Sequence, residues 1–88
     1  MRVKQDFVLR QVANTWVVVP IGQSMVDFKS MLTLNATGAV LWNELEKGTD
    51  MESMVELLTR EYEVSAAQAE TDIEAFLTKL QNWGCLER

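Results

Sequence analysis

The sequence predicts an α+β fold, with a small N-terminal antiparallel β-sheet followed by three α-helices. Three observations predict it. The first third of the chain consists of short segments rich in β-branched and aromatic residues, broken by turn-forming ones. The remainder holds three segments with apolar residues at helical spacing, each with its own start and stop signals. Between them, within Leu32-Thr33-Leu34-Asn35-Ala36-Thr37-Gly38-Ala39-Val40-Leu41-Trp42, the hydrophobic period switches from two to about 3.6. Strands gathered at one end and helices at the other exclude a doubly wound α/β sheet.

In chain order, residues 7–12 are expected to form a first strand and Ala13-Asn14 a tight turn. The second strand is the run Trp16-Val17-Val18-Val19, continuous enough in apolar residues to be buried. Pro20 removes a ladder donor and Gly22 loosens the backbone, so pairing is expected to end there. Residues 25–28 and 31–34 read as two arms of a hairpin about Lys29-Ser30, a turn without the favoured Asn-Gly pair. Leu32 and Leu34 alternate with Thr33, as in a half-buried strand.

Asn35 supplies a side-chain oxygen to cap a helix over residues 36–47, which Gly48 stops. Along it Gly38, Leu41, Trp42 and Leu45 share one face. Thr49 and Glu52, three apart, have the spacing of a capping box and open a second helix. Its apolar stripe is Met51, Met54, Val55, Leu58 and Tyr62. Ser65 and Gln68 repeat the cap spacing for a third helix, with Ala69, Ile73, Phe76, Leu80 and Trp83 as its stripe. Gly84 closes that helix, and Leu86 is placed to fold back as a hydrophobic contact.

Eighty-eight residues, with 48% hydrophobic and 24% charged, bound the chain to one globular domain over residues 1–88 with a modest core. The apolar run over 16–21 is far short of a membrane span, and residues 1–6 lack the apolar stretch of a secretory signal. With Cys85 as the single cysteine, no internal disulfide is possible, and the expected compartment is the cytoplasm. The net charge of −5 is unevenly spread. Residues 1–35 carry four basic side chains against two acidic ones, residues 36–88 four against eleven. So acidic a helical half repels a phosphate backbone, which argues against nucleic acid as a partner.

The side chains offer little for catalysis. The chain has no histidine, which removes the commonest general base and metal ligand. One cysteine alone makes neither a zinc cluster nor a catalytic dyad, and the glycines stand singly at 22, 38, 48 and 84, not in a phosphate loop. Glu70 and Glu74 lie four apart on a face expected to be solvated, without the burial that splits carboxylate pKa values. No catalytic residue, cofactor or metal is therefore expected, and the chain does not read as an enzyme. Met51 and Met54 belong to the core stripe, whereas Met25 and Met31 are free to line a groove. Trp16, Trp42 and Trp83 read as structural, since none has the basic neighbours of a base-stacking platform.

Binding is the function left, and a small sheet offers a means. Its edge strand has unpaired N–H and C=O groups that another strand can take up, while pockets beside it select side chains. The same edge serves equally for pairing with a second copy of the chain.

The segment LTLNATGAVLW, a Gly48-Thr49 break opening a helix, and EYEVSAAQAETDIEAFLTKLQNWGCLE together resemble the coenzyme PQQ synthesis protein D (PqqD) family. The resemblance covers roughly residues 6–87 and rests on the order and spacing of Leu34-Asn35, Gly38, Trp42, Tyr62, Ser65, Asp72, Phe76-Leu77, Leu80 and Gly84. It implies a winged-helix-like, non-catalytic recognition element for ribosomally made peptides. Such a domain binds the leader of a precursor peptide as an added antiparallel strand and presents it to a modifying enzyme, often a radical S-adenosylmethionine protein. Carried onto this sequence, the pairing strand is Met31, Leu32, Thr33 and Leu34, and the helical wall is Asp72, Ala75, Phe76 and Lys79. For Asp72 two readings stand, a contact with the peptide and a contact within the fold. Phe76 divides between core and groove; Lys79 either meets an acidic leader residue or stands as a lone exposed charge. Asn35 is read as a cap and not as a ligand. The segment 21–30 is longer than a plain turn, so its 25–28 arm competes with 31–34 for the edge.

Two other classes are weighed against leader binding. A winged-helix DNA-binding regulator needs a basic recognition helix, yet residues 65–83 hold Lys79 against Glu70, Asp72 and Glu74. A structural subunit that dimerises through its edge strand fits the sequence as well as a peptide binder does. Which precursor is bound, and whether the product is PQQ or another modified peptide, is left open by the sequence.

Overall fold

The computed structural model describes residues 1–21 and 32–87. Strand β1 is Arg2–Val3, β2 is Phe7–Val12, β3 is Thr15–Pro20 and β4 is Leu32–Leu34. Helices α1 (Ala36–Lys47), α2 (Met51–Glu61) and α3 (Ala66–Asn82) follow, and β5 (Leu86–Glu87) returns to β1. This is the α+β arrangement expected, with the sheet first and the helices after it. The hairpin arm over 25–28, its Lys29-Ser30 turn and Met31 lie outside the described residues.

Strands β2, β3 and β4 form an antiparallel sheet in that order. The β2–β3 turn is Ala13-Asn14, with Ala13 at a positive φ of 56°. Strand β3 runs to Pro20, where the sequence placed the end of pairing, and the missing donor does not interrupt the ladder: Pro20 lies opposite Phe7, and the N–H of Ile21 donates to the Asp6 carbonyl at 2.7 Å. The reason is parity. Backbone groups along a strand point alternately to its two sides. If Ile21 turns towards β2, then Val19 and Val17 do too, while Pro20, Val18 and Trp16 turn away from it. The donor that proline lacks would have pointed away from β2, so the ladder loses nothing there.

Helix α1 has the predicted bounds and the predicted cap. The start of α2 is corrected: its cap is Asp50, whose carboxylate accepts from the Ser53 N–H at 2.7 Å, and not Thr49. Thr49 instead donates its N–H to the Met1 carbonyl at 2.9 Å, which holds it outside the helix. The backbone and side-chain hydrogen bonds from Ser53 hold the Asp50 carboxyl below its ordinary 3.8. Ser65 caps α3 through the Gln68 N–H at 3.1 Å, as predicted.

The core sits between the inner sheet face and the three helices. Phe7, Val18, Leu32 and Leu34 meet Leu41, Trp42, Leu45, Met54, Leu58, Ala69, Ile73, Leu77 and Leu80 there. The Trp42 indole is fully buried and its N–H donates to Glu46 at 2.7 Å, so no polar group is stranded. Two sequence assignments shift. Tyr62 leaves the α2 stripe, because the helix ends at Glu61 and Tyr62 adopts an extended φ of −132° in solvent. The centre of the α3 stripe is Leu77, and Phe76, one residue earlier and so about 100° around the helix, is only half-buried.

Leu86 folds back as expected, but as a strand: it is buried and pairs with Val3, and the Lys4 N–H donates to the Cys85 carbonyl at 2.8 Å. Strands of two residues carry too little periodicity to be seen in sequence.

Leu77→Ala is expected to cost about 3 kcal/mol, since the fully buried leucine leaves a cavity among packed neighbours. Tyr62→Ala is expected to stay within about 0.5 kcal/mol. Urea denaturation followed by tryptophan fluorescence measures both.

Candidate functional site

The candidate site lies where β4 meets the start of α1 and the exposed side of α3. The parity that turns Pro20 away from β2 also turns Val18 and Trp16 towards β4. Their partners Leu32 and Leu34 therefore spend their backbone groups on β3. Thr33, opposite Val17, is left with its N–H and C=O directed to the outer edge. The Lys79 ammonium confirms this direction by donating to the Thr33 carbonyl at 3.2 Å. Among the described residues, β4 pairs with β3 alone.

Beside this edge is an open cavity of about 370 Å³, lined by Asn35, Thr37, Gly38 and Leu41 of one wall and Asp72, Ala75 and Phe76 of the other. Asn35 follows β4 directly and caps α1, its side-chain oxygen accepting from the Gly38 N–H at 2.7 Å. The close approach of α1 to α3 depends on Gly38. A Cβ there would lie 3.2 Å from the Phe76 ring and 3.3 Å from Leu34 Cβ, tighter than ordinary contact.

The structure brings most of the sequence-selected residues to this place, in different capacities. Leu32 and Leu34 point into the core, so they fix the position of the edge while Thr33 presents it. Asp72 is exposed on the cavity wall, its carboxylate accepting from the Gln68 amide at 2.8 Å. Ala75 is exposed beside it. Phe76 is both core and groove: one part packs on the buried cluster and another lines the cavity. Lys79 is at the edge and not among the cavity residues. Met31 lies outside the described residues.

Sequence reasoning missed Thr37, Gly38 and Leu41 as cavity residues and gave Asn35 only its capping role. The available signal was position: a helix that begins one residue after an edge strand must place its first turn beside that edge.

The arrangement suits main-chain pairing along Thr33 with a side chain entering a part-apolar cavity. One carboxylate, Asp72, gives the cavity a negative end. Among the described residues no three histidine, cysteine or acidic side chains are grouped to hold a metal ion. Cys85 is buried, and its desolvation pushes the thiol from 9.0 up to about 11, so it is a packing residue and not a nucleophile at neutral pH. No helix among the described residues is long and apolar enough to cross a membrane.

The family model for coenzyme PQQ synthesis protein D (PqqD) matches residues 16–86. Two solved structures are similar over almost all of both chains. One is TbiB1 in complex with the TbiA(beta) leader peptide, with 28% identity, a TM-score of 0.80, and coverage of 99% of this chain and 95% of that one. The other is lasso peptide synthetase B1 complexed with the leader peptide, with 29% identity, a TM-score of 0.79, and coverage of 99% and 96%. Among curated proteins no sequence matches this one.

Asn35→Ala is expected to lower stability by about 1 kcal/mol through loss of the α1 cap, with Asn35→Asp retaining most of it, both read by urea denaturation. Stability is expected to fall between about pH 9 and pH 11. There the unfolded thiol of Cys85 ionises while the buried one keeps its proton, so the unfolded state binds fewer protons. Cys85→Ala should flatten that part of the pH profile.

Proposed function

As this chain belongs to the coenzyme PQQ synthesis protein D family, we propose that it is a non-catalytic recognition element that binds the leader segment of a ribosomally made precursor peptide. The leader pairs as an added strand with the outer edge of β4, and one of its side chains enters the cavity between α1 and α3. The observation that carries this reading is the outward backbone of Thr33 beside the Asn35–Phe76 cavity. A pairing edge and a side-chain pocket lie together there, the two parts that strand addition uses. The resemblance to two chains solved with leader peptides supports it from outside the molecule.

In this role the chain does no chemistry. It holds the leader in the cytoplasm while a separate modifying enzyme acts on the remainder of the precursor; a radical S-adenosylmethionine protein is the class implied by the family resemblance. The acidic surface of the helical half offers nothing to a phosphate backbone, which sets nucleic acid aside.

The test is an amide NMR titration of the full chain with a synthetic leader from the precursor gene beside its own. Saturable shifts at Leu32–Leu34 and along residues 72–79 are expected. Shifts confined to Phe7–Val12 would move the site to the opposite edge of the sheet, and a self-association that excludes peptide would assign the edge to a dimer. Thr33→Pro gives a sharper result. It removes the outward N–H and puts the ring in its place, while the ladder to β3 is made by Leu32 and Leu34. Leader binding is expected to weaken about tenfold, the equivalent of one main-chain hydrogen bond, with the β2–β3–β4 sheet retained by NMR.

A further inference from the structure

The Thr33 carbonyl, the acceptor that an added strand requires, is already occupied. Lys79 donates to it at 3.2 Å from 46 residues further along the chain, so the bond is made by the tertiary fold and not by local geometry. The helical neighbours of Lys79 at three and four residues are Ala75, Phe76, Asn82 and Trp83. None is acidic, so α3 supplies it no ion-pair partner. Lys47 and Arg60 differ: they pair with Glu44 at 3.6 Å and Glu61 at 3.7 Å.

Resting on strand addition at β4, we infer that Lys79 is a displaceable cap on this edge, released by a peptide that carries a carboxylate side chain. An entering strand places its own N–H on the Thr33 carbonyl and covers the ground around the ammonium. Lys79 must then find another acceptor in a place from which water has been partly removed. A neutral peptide leaves it without one, which is unfavourable. An aspartate or glutamate on the entering strand, directed towards α3, accepts a charge-assisted hydrogen bond in exchange. The edge therefore discriminates by charge.

The preference is local. Asp72 lies seven residues before Lys79, about 10 Å along the helix axis, and disfavours a second carboxylate at the cavity end. One acidic position, at the register facing Lys79, is what the cleft selects. In the empty protein the same lysine blunts the edge against pairing with a second copy, a common use of lysine on exposed strands.

The probe is a displayed library of random 12-residue peptides, selected against the immobilised full chain. The wild-type selection is expected to enrich aspartate or glutamate at one register position. Replacing that acid by its amide in a selected peptide should weaken binding about threefold to tenfold, the range for a surface pair that becomes partly covered. In Lys79→Met the acid-to-amide difference should vanish. Lys47→Met, which removes a charge far from the edge, should preserve it. Lys79→Glu should instead enrich lysine or arginine at that position. An acid-to-amide loss of the same size in Lys79→Met overturns the inference, as do recovered peptides with no carboxylate preference, while strand addition itself survives either result. Recovery of no peptide by the wild-type chain overturns peptide binding and this inference together.

Discussion

Both leucines of β4 are held in the core, and the geometry of the edge follows from that constraint. Leu32 and Leu34 are 2% and 5% exposed, locked between β3 and the helices. A slip of one residue would turn both leucines into solvent and bring Thr33 into the core. With the register fixed, strand geometry leaves Thr33 no alternative: its side chain and both its backbone groups must face outward. The edge is a consequence of burying its two neighbours.

A small sheet can hide such an edge under a helix. Here α3 comes alongside without covering it. Its buried line of Ala69, Ile73, Leu77 and Leu80 anchors the helix to the core. The adjacent positions Asp72, Ala75, Phe76 and Lys79 are thereby left on the side next to β4. The buried line and the cavity wall are divided by about 100° of one helix, which is why Phe76, at the boundary, belongs to both. Gly38 completes the arrangement by letting the first turn of α1 approach Phe76 and Leu34. Asn35 does two things in one place, ending the strand ladder's reach and starting the helix, so its side chain is held beside the cavity by the hydrogen bond it makes to Gly38.

Away from the edge, the described residues are divided between core and solvent. The thiol of Cys85 is packed away, and the carboxylates of α2 and α3 lie mainly in solvent. For the proposed leader binding, the fold is a frame for the backbone edge and the few side chains beside it.

The sequence by itself determined the elements whose signals are local: the strand at 7–12, the helix bounds Ala36–Lys47, the Asn35 and Ser65 caps, and the burial of Trp42 and Met54. Each depends on contacts within a few residues or on a period repeated several times. It misassigned the α2 cap and the fate of Tyr62, because Asp50 and Thr49 compete for one role and a distant carbonyl, that of Met1, settles it. It passed over β1 and β5, which are too short to show a period and exist only because the two ends of the described chain meet. What only the tertiary structure decided is the direction of the β4 edge and what lies beside it. Parity set at Ile21 against Asp6 fixes where Thr33 points, and 46 residues separate Thr33 from the lysine that meets it. Contacts between residues so far apart leave no periodic trace in a single sequence, so the elements could be read from it but not the site they build together.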